Sequence, residues 1–338
     1  MKKAKNLLLL VAIFISSCAQ ISSSENSGSS GSSIGSYTEP PITKGDTYQF
    51  GTYPQSKVTD ATLLSTLNAA SGTLPTSANS QAWMSYGYYI RGSVSSYMWY
   101  IDIENSGNEY RGVYFTSYRP YFTINPSSTS NSYQDNNGYN TSTVYWFKYE
   151  PITWRVLDVQ SSSAFLMADL VLDSQDYHYS ASNRTIGGRT VYANNYKESH
   201  IRSWLNDNFY YTAFTAAEKA RIKTTTVDNS AASTGYYSNT YACANTSDKV
   251  FLLSYAEATS ATYGFSSDDA SRQLQPSAYA QSQGVRTDTS NGNSSWRLRS
   301  PSSNSHIARD VDYNGNVKYI GYVFNSGSGV VPALWISL

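Results

Sequence analysis

Asp310-x-Asp312-x-Asn314-Gly315 places two carboxylates and an amide at alternating positions ahead of a glycine turn, a pattern that suits an oxygen-ligated divalent cation such as calcium. The pattern breaks further on. Gly321 stands where a calcium loop closes with glutamate, and Lys318 occupies another ligand position. A hairpin explains the same residues without metal, because Tyr313-Asn314-Gly315 is turn chemistry between two strand-like runs, 307–313 and 316–324. A two-residue Asn-Gly loop would set Val311 opposite Lys318. A three-residue loop with Gly315 left-handed sets Val311 opposite Val317 and Asp310 opposite Lys318, the better cross-strand pairs.

No other constellation offers a catalytic centre or a cofactor site. His178, His200 and His306 are far apart and lack ligand spacing, so neither zinc nor a His-based triad is indicated. Asp169, Asp173 and Asp176 gather near a strand end, where solvation is the ordinary reason for carboxylates. Carboxylates brought together from distant parts of the chain would leave no mark in the spacing, so a hydrolytic pair stays open. The cysteines are Cys18 and Cys243, and the second reads as a small buried residue.

Cys18 has a different chemistry. A basic start, Met1-Lys2-Lys3-Ala4-Lys5, an apolar run over 7–15 too short to span a bilayer, and Ser16-Ser17 precede it. This order resembles a bacterial lipoprotein signal over 1–17, which makes Cys18 the lipid-modified first residue of the mature protein. Residues 18–46 are rich in Ser, Gly and Asn at first and read as a tether. The expected location is the cell envelope, membrane-anchored through the lipid at Cys18 and facing the periplasm or the cell surface.

The elements that must position a site fill 47–338. Charge is balanced, 24 basic against 24 acidic residues, which speaks against a nucleic-acid partner. The chain has 31 Tyr against 11 Phe and 4 Met, and Tyr with Ser, Asn and Gly is the composition of recognition surfaces as well as of half-buried strands. A strand ending in a turn is expected over 47–55 and a helix over 61–70 behind Asp60 as cap. An aromatic, strand-rich insertion follows over 56–144, with strands at 86–90, 97–103 and 110–115. Further strands are expected at 144–149, 150–159 and 164–172. Ile201, Trp204, Leu205 and Phe209 fall at helical spacing, and Thr215-Ala216-Ala217-Glu218 and Ser254-Tyr255-Ala256-Glu257 are capping boxes. A short buried strand at 250–253 and a helix at 277–283 complete the middle. The last run, 330–336, is apolar and reads as one central strand, with Pro332 at a bulge or an unpaired position. Strand-rich ends around short helices make an α+β domain.

Several short motifs then occur in order: Phe50-Gly51-x-Tyr53-Pro54-Gln55, Pro151-Ile152-x-Trp154-Arg155-Val156-Leu157, Ser199-x-Ile201-Arg202-x-Trp204-Leu205-Asn206, Trp296-x-Leu298-Arg299-Ser300-Pro301 and Pro332-Ala333-Leu334-Trp335-Ile336. Together they resemble an uncharacterised family of bacterial exported domains, which is in turn distantly similar to the C-type-lectin-like fold of the formylglycine-generating-enzyme type. The enzyme of that type needs two active cysteines, whereas this mature chain has one usable thiol, so the resemblance implies the scaffold and not that activity. It also implies a displayed C-terminal surface. The stretch 302–325 is rich in residue types reached from an Asn codon, which fits diversification at this place.

The expected function is therefore a lipid-anchored envelope protein that binds a glycan or a surface protein through the C-terminal hairpin. The candidate contacts are Asn304, His306, Asp310, Asp312, Asn314 and Asn316 as polar groups and Tyr313, Tyr319, Tyr322 and Phe324 as contact area. Arg299 is expected to hold the hairpin base through backbone carbonyls. The alternatives are an envelope hydrolase acting on glycans and an antigenically variable structural protein.

Overall fold

A computed structural model describes residues 41–76, 82–86, 90–91, 94–95, 98–123, 133–235, 240–266 and 270–338. The signal, Cys18 and most of the tether lie outside these residues. The chain enters as β1 (Thr47–Lys57), α1 (Ala61–Ala70) and β2 (Met84–Ser85). A small pair, β3 (Ile90–Arg91) and β4 (Val94–Ser95), precedes the hairpin β5 (Met98–Asn105) and β6 (Asn108–Phe115). One helical turn, α2 (Tyr133–Asn136), leads to the long β7 (Tyr145–Gln160), then β8 (Ser163–Ala168) and β9 (Asp173–Ser174). The pair β10 (Arg184–Ile186) and β11 (Arg189–Val191) is followed by α3 (His200–Trp204), a π-helical turn Leu205–Phe209, α4 (Tyr210–Ala213) and α5 (Ala216–Arg221). After β12 (Thr225–Val227) and its partner β13 (Thr246–Asp248) come α6 (Tyr255–Ala258) and α7 (Ala278–Ser282). The chain closes with β14 (Trp296–Pro301), β15 (Ile307–Val311), β16 (Val317–Tyr322), β17 (Gly329–Val330) and β18 (Ala333–Ser337).

The domain is α+β, with two principal sheets. One is organised on β7. Residues Lys148 and Trp154 each pair on both sides, with Ser56 and Tyr48 of β1 on one edge and with Tyr110 of β6 and Ala168 of β8 on the other. A single edge of β7 thus carries β6, β5 and β2 at one end and β8 and β18 at the other. The strands expected at 144–149 and 150–159 are continuous as a result. Pro151 is tolerated because it falls between the β6 and β8 ladders and opposite a bulge in β1. At that bulge Gly51 has φ 71°, its amide donates to Glu218 Oε1 at 2.9 Å, and the Phe50 carbonyl accepts from Trp154 Nε1 at 2.7 Å. A Cβ on Gly51 would stand 2.6 Å from the Phe214 ring, so backbone conformation and packing both require glycine.

The second sheet has the order β16-β15-β14-β17-β9. The apolar run 330–336 is not one central strand. Gly329–Val330 joins the second sheet and Ala333–Ser337 the first, and the chain crosses between them at Val331-Pro332. A proline fits there because it has no amide to satisfy, while its carbonyl still accepts from Ala168 N at 2.9 Å. One hydrophobic core spans both sheets, including Trp154 and Leu166 from the first and Trp296, Leu298 and Val311 from the second. A smaller cluster, with Leu67, Trp83, Trp99 and Trp146, lies under the aromatic insertion.

Local signals map closely onto helix starts. Asp60 accepts from Leu63 N at 2.7 Å, Ser277 caps α7, and both capping boxes are closed in both directions. Residues 250–253 are buried but form no strand, only a bridge from Phe251 to Ala333.

Candidate functional site

The C-terminal hairpin has the three-residue loop: Val311 pairs with Val317, Asp310 with Lys318, and Gly315 has φ 87°. Asp312 Oδ1 accepts from the amides of Asn314 and Asn316 at 3.0 and 2.9 Å, and its other oxygen lies 3.3 Å from Lys318 Nζ. The carboxylate that resembled a calcium ligand is thus the clasp of the turn. Among the described residues no group of three His, Cys, Asp or Glu side chains is placed to hold a metal ion.

The hairpin is strapped down at tip and base. At its tip, the carbonyls of Gly315 and Asn314 accept from Arg272 Nε at 2.7 Å and Gln273 Nε2 at 3.1 Å, and the Tyr313 carbonyl accepts from Asn291 and Asn293. At its base, Asn194 Nδ2 donates to the carbonyls of Asn304 and Ile307 at 2.7 and 2.9 Å. The arginine expected to hold this base is the wrong one of the pair. Arg299 points the other way, to the carbonyls of Leu252 and Asp228 and to the carboxylate of Glu257. Arg297 Nη2 reaches the carbonyls of Tyr322 and Asn325, at 2.6 and 2.8 Å. Alternation along β14 would put Arg297 and Arg299 on one face, but a register shift between Arg297 and Pro301 parts them.

The candidate residues divide by exposure. Tyr319 is 62% exposed and Tyr322 39%, and both stand on β16, the edge strand of its sheet. Asn304 and Asn314 are exposed, while Asp312, Tyr313, Asn316 and His306 are half-buried, the His306 ring stacked 5.8 Å from Tyr322. Phe324 is 7% exposed: its ring packs against Phe122 and Tyr322, so it supports a surface tyrosine instead of supplying contact area. Asp310 is also buried. Burial pushes its carboxyl above the usual range against the pull of Arg297, and burial likewise lowers the Arg297 guanidinium.

Beside the hairpin runs a groove made of two adjoining clefts, of 510 and 860 Å³, which share Tyr121, Tyr133 and Arg286 as common walls. The smaller is lined by Asp310, Asp312, Tyr313, Lys318, Ile320 and Tyr322 from the hairpin. The larger is lined by Asn136, Asn137, Gln281 and the segment Thr287-Asp288-Thr289. Tyr121 and Tyr133 pack edge to face with ring centroids 5.0 Å apart, and the Arg286 guanidinium lies 5.5 Å from the Tyr313 ring centre. Of the candidates, Asp310, Asp312, Tyr313 and Tyr322 line the groove. Nothing in the sequence set Tyr121, Tyr133 or Arg286 apart as site residues, and Gln134-Asp135-Asn136-Asn137-Gly138 read as a turn and not as a site.

This is an α+β domain with a tyrosine-walled groove against its C-terminal hairpin. The profile of the family described as "Domain of unknown function (DUF6273)" matches residues 161–338, more than half of the chain, and the chain belongs to that family. Neither the curated proteins nor the solved structures give a match.

Proposed function

We propose that this protein is a lipid-anchored component of the bacterial cell envelope that binds a glycan in the groove beside its C-terminal hairpin. The observation that carries the proposal is the groove's lining. Tyrosine faces and edges suit the C–H faces of sugar rings, and the amides and charges between them suit ring hydroxyls. The strapping of the hairpin supports the reading further, because a wall already held by its carbonyls loses little freedom on binding. A lectin-like scaffold belongs to the same proposal. The first and last strands share one sheet, and the hairpin stands on the other.

The test is a glycan array probed with the full chain, beside Tyr322→Ala and Arg286→Ala variants of unchanged melting temperature. The expected result is a set of bound glycans whose affinity falls at least tenfold in Tyr322→Ala. Binding that ignores both substitutions would remove the groove as the site. Anchoring is tested separately by labelling cells with a fatty-acid analogue, where Cys18→Ser should abolish incorporation.

A second reading, a glycan hydrolase, draws on one observation: Asp310 and Asp312 both line the 510 Å³ cleft. Asp312 is committed to the turn and to Lys318, which weighs against it as base or nucleophile. Release of reducing ends from a bound oligosaccharide, lost in Asp310→Asn, would favour the enzyme.

A further inference from the structure

A basic face gathers where α4 and α5 meet the start of β1 and the end of β18. Just past α5, Ile222 is extended and buried, and it bridges to Ile336. Alternation about this inward residue turns Arg221 and Lys223 outward, and Lys223 is exposed. Lys219, in the last turn of α5, and Lys249, just after β13, both stand over the buried Tyr210 ring, with their ammonium groups 5.5 and 4.3 Å from its centre. Their stems cover that ring while the charged ends reach toward water. Beside them Tyr211 is 62% exposed, its ring centre 4.7 Å from Lys219 Nζ.

The charge of this face is left unanswered. Arg221 donates to Tyr48 Oη at 2.9 Å and to the Ser337 carbonyl at 3.3 Å, both neutral acceptors. Glu218, next to Lys219 in the chain, spends its two oxygens on the Gly51 amide and on Thr215. Among the described residues, none of Lys219, Arg221, Lys223 and Lys249 makes an ion pair. The chain from Cys18 also arrives close by. The described domain begins at Pro41, Ile42 packs on its core, and Tyr48, the partner of Arg221, follows Pro41 by seven residues. The junction therefore stands within about 25 Å of Tyr48.

We propose that this face, Tyr211 with Lys219, Arg221, Lys223 and Lys249, lies on an anionic lipid surface. The proposal takes from the preceding reading only the lipid at Cys18, which would keep a membrane within reach of it. Phosphate headgroups supply the charge that the four cations lack, each basic side chain near such a surface adding about fivefold in affinity. A tyrosine ring, apolar with a polar tip, suits the headgroup level. Weak attraction is enough, because a tether makes the encounter intramolecular.

The experiment is co-sedimentation of the full chain with vesicles of phosphatidylcholine alone or of phosphatidylcholine and phosphatidylglycerol. The chain carries Cys18→Ser with Lys2→Gln, Lys3→Gln and Lys5→Gln throughout, so that neither a lipid nor the basic start supplies the binding. Failure of the anchor, read by fatty-acid labelling, and failure of the face are thereby separate results. The proposal expects binding to the anionic vesicles at millimolar lipid, loss of that binding in about 0.5 M salt, and at least tenfold weaker binding when Lys219→Gln, Lys223→Gln and Lys249→Gln are combined with the melting temperature kept. Lys57→Gln, Lys148→Gln and Arg189→Gln, which remove the same charge elsewhere, should leave it unchanged. No binding, equal binding to both vesicles, indifference to the first triple change, or equal loss in the second would overturn it. So would capture by soluble polyphosphate without capture by anionic vesicles, which would make the face a site for a free polyanion.

Discussion

Arg297 and Asp310 lie on neighbouring strands beneath Gly321, where a Cβ would be 2.5 Å from Arg297 Nη1 and 3.1 Å from Asp310 Cγ. Arg297→Met should cost about 2–4 kcal/mol, since two charge-assisted bonds to hairpin carbonyls are lost and Asp310 is left without its counter-charge. Arg297→Met with Asp310→Asn should cost less than the sum of the two single changes in urea denaturation. Asp310 also sets a pH slope. Its folded pKa lies above the unfolded one, so the folded state keeps a proton that the unfolded chain has lost, and stability falls as pH rises from the ordinary carboxylate range through the raised value. Asp310→Asn should remove that slope. His200 acts in the opposite sense. Burial, with help from Arg119, pushes it down from 6.5 to about 4, so the unfolded chain binds the extra proton and stability is lost as pH falls through that window. His200→Phe should recover roughly 3 kcal/mol of the loss between pH 6.5 and 4, read as the difference between variant and wild-type urea midpoints.

At the scale of elements, α5 and the β1 bulge are one device. Glu218 closes the capping box with Thr215 and reaches the Gly51 amide with its other oxygen, so the helix start fixes the bend in the strand. Thr215→Ala should cost about 1 kcal/mol, the usual value for a lost cap. Gly51→Ala should cost more, about 3 kcal/mol, because it forces a left-handed residue against the Phe214 ring and the Ala213 carbonyl. If thermal denaturation showed Gly51→Ala to be the milder change, the bulge would not be the constraint described.

For the molecule as a whole, the crossing at Val331-Pro332 ties the two sheets together, and one core fills the space they share. The described domain should therefore unfold in a single transition, with far-ultraviolet circular dichroism, which follows the sheets, and near-ultraviolet signals, which follow the buried tryptophans, coinciding. Two separated transitions would mean that the aromatic insertion, with its own smaller cluster, melts apart from the rest.

Sequence alone determined what is local. Asp60, Thr215, Ser254 and Ser277 mark helix starts because a cap acts within three residues, and Tyr313-Asn314-Gly315 sets the hairpin register because a turn fixes the strands on either side. That the chain belongs to an uncharacterised family was also expected from its sequence. Tertiary structure decided everything that depends on partners far along the chain. Periodicity could not show that Pro151 sits between two ladders, that 330–336 divides between two sheets, or that Arg297 instead of Arg299 holds the hairpin. Phe324 read as surface until Phe122, two hundred residues earlier, was seen to cover it. The groove is of this kind. It is walled by single residues from separate elements, and nothing in the spacing of Tyr121, Tyr133, Arg286 and Tyr322 records that folding brings them together.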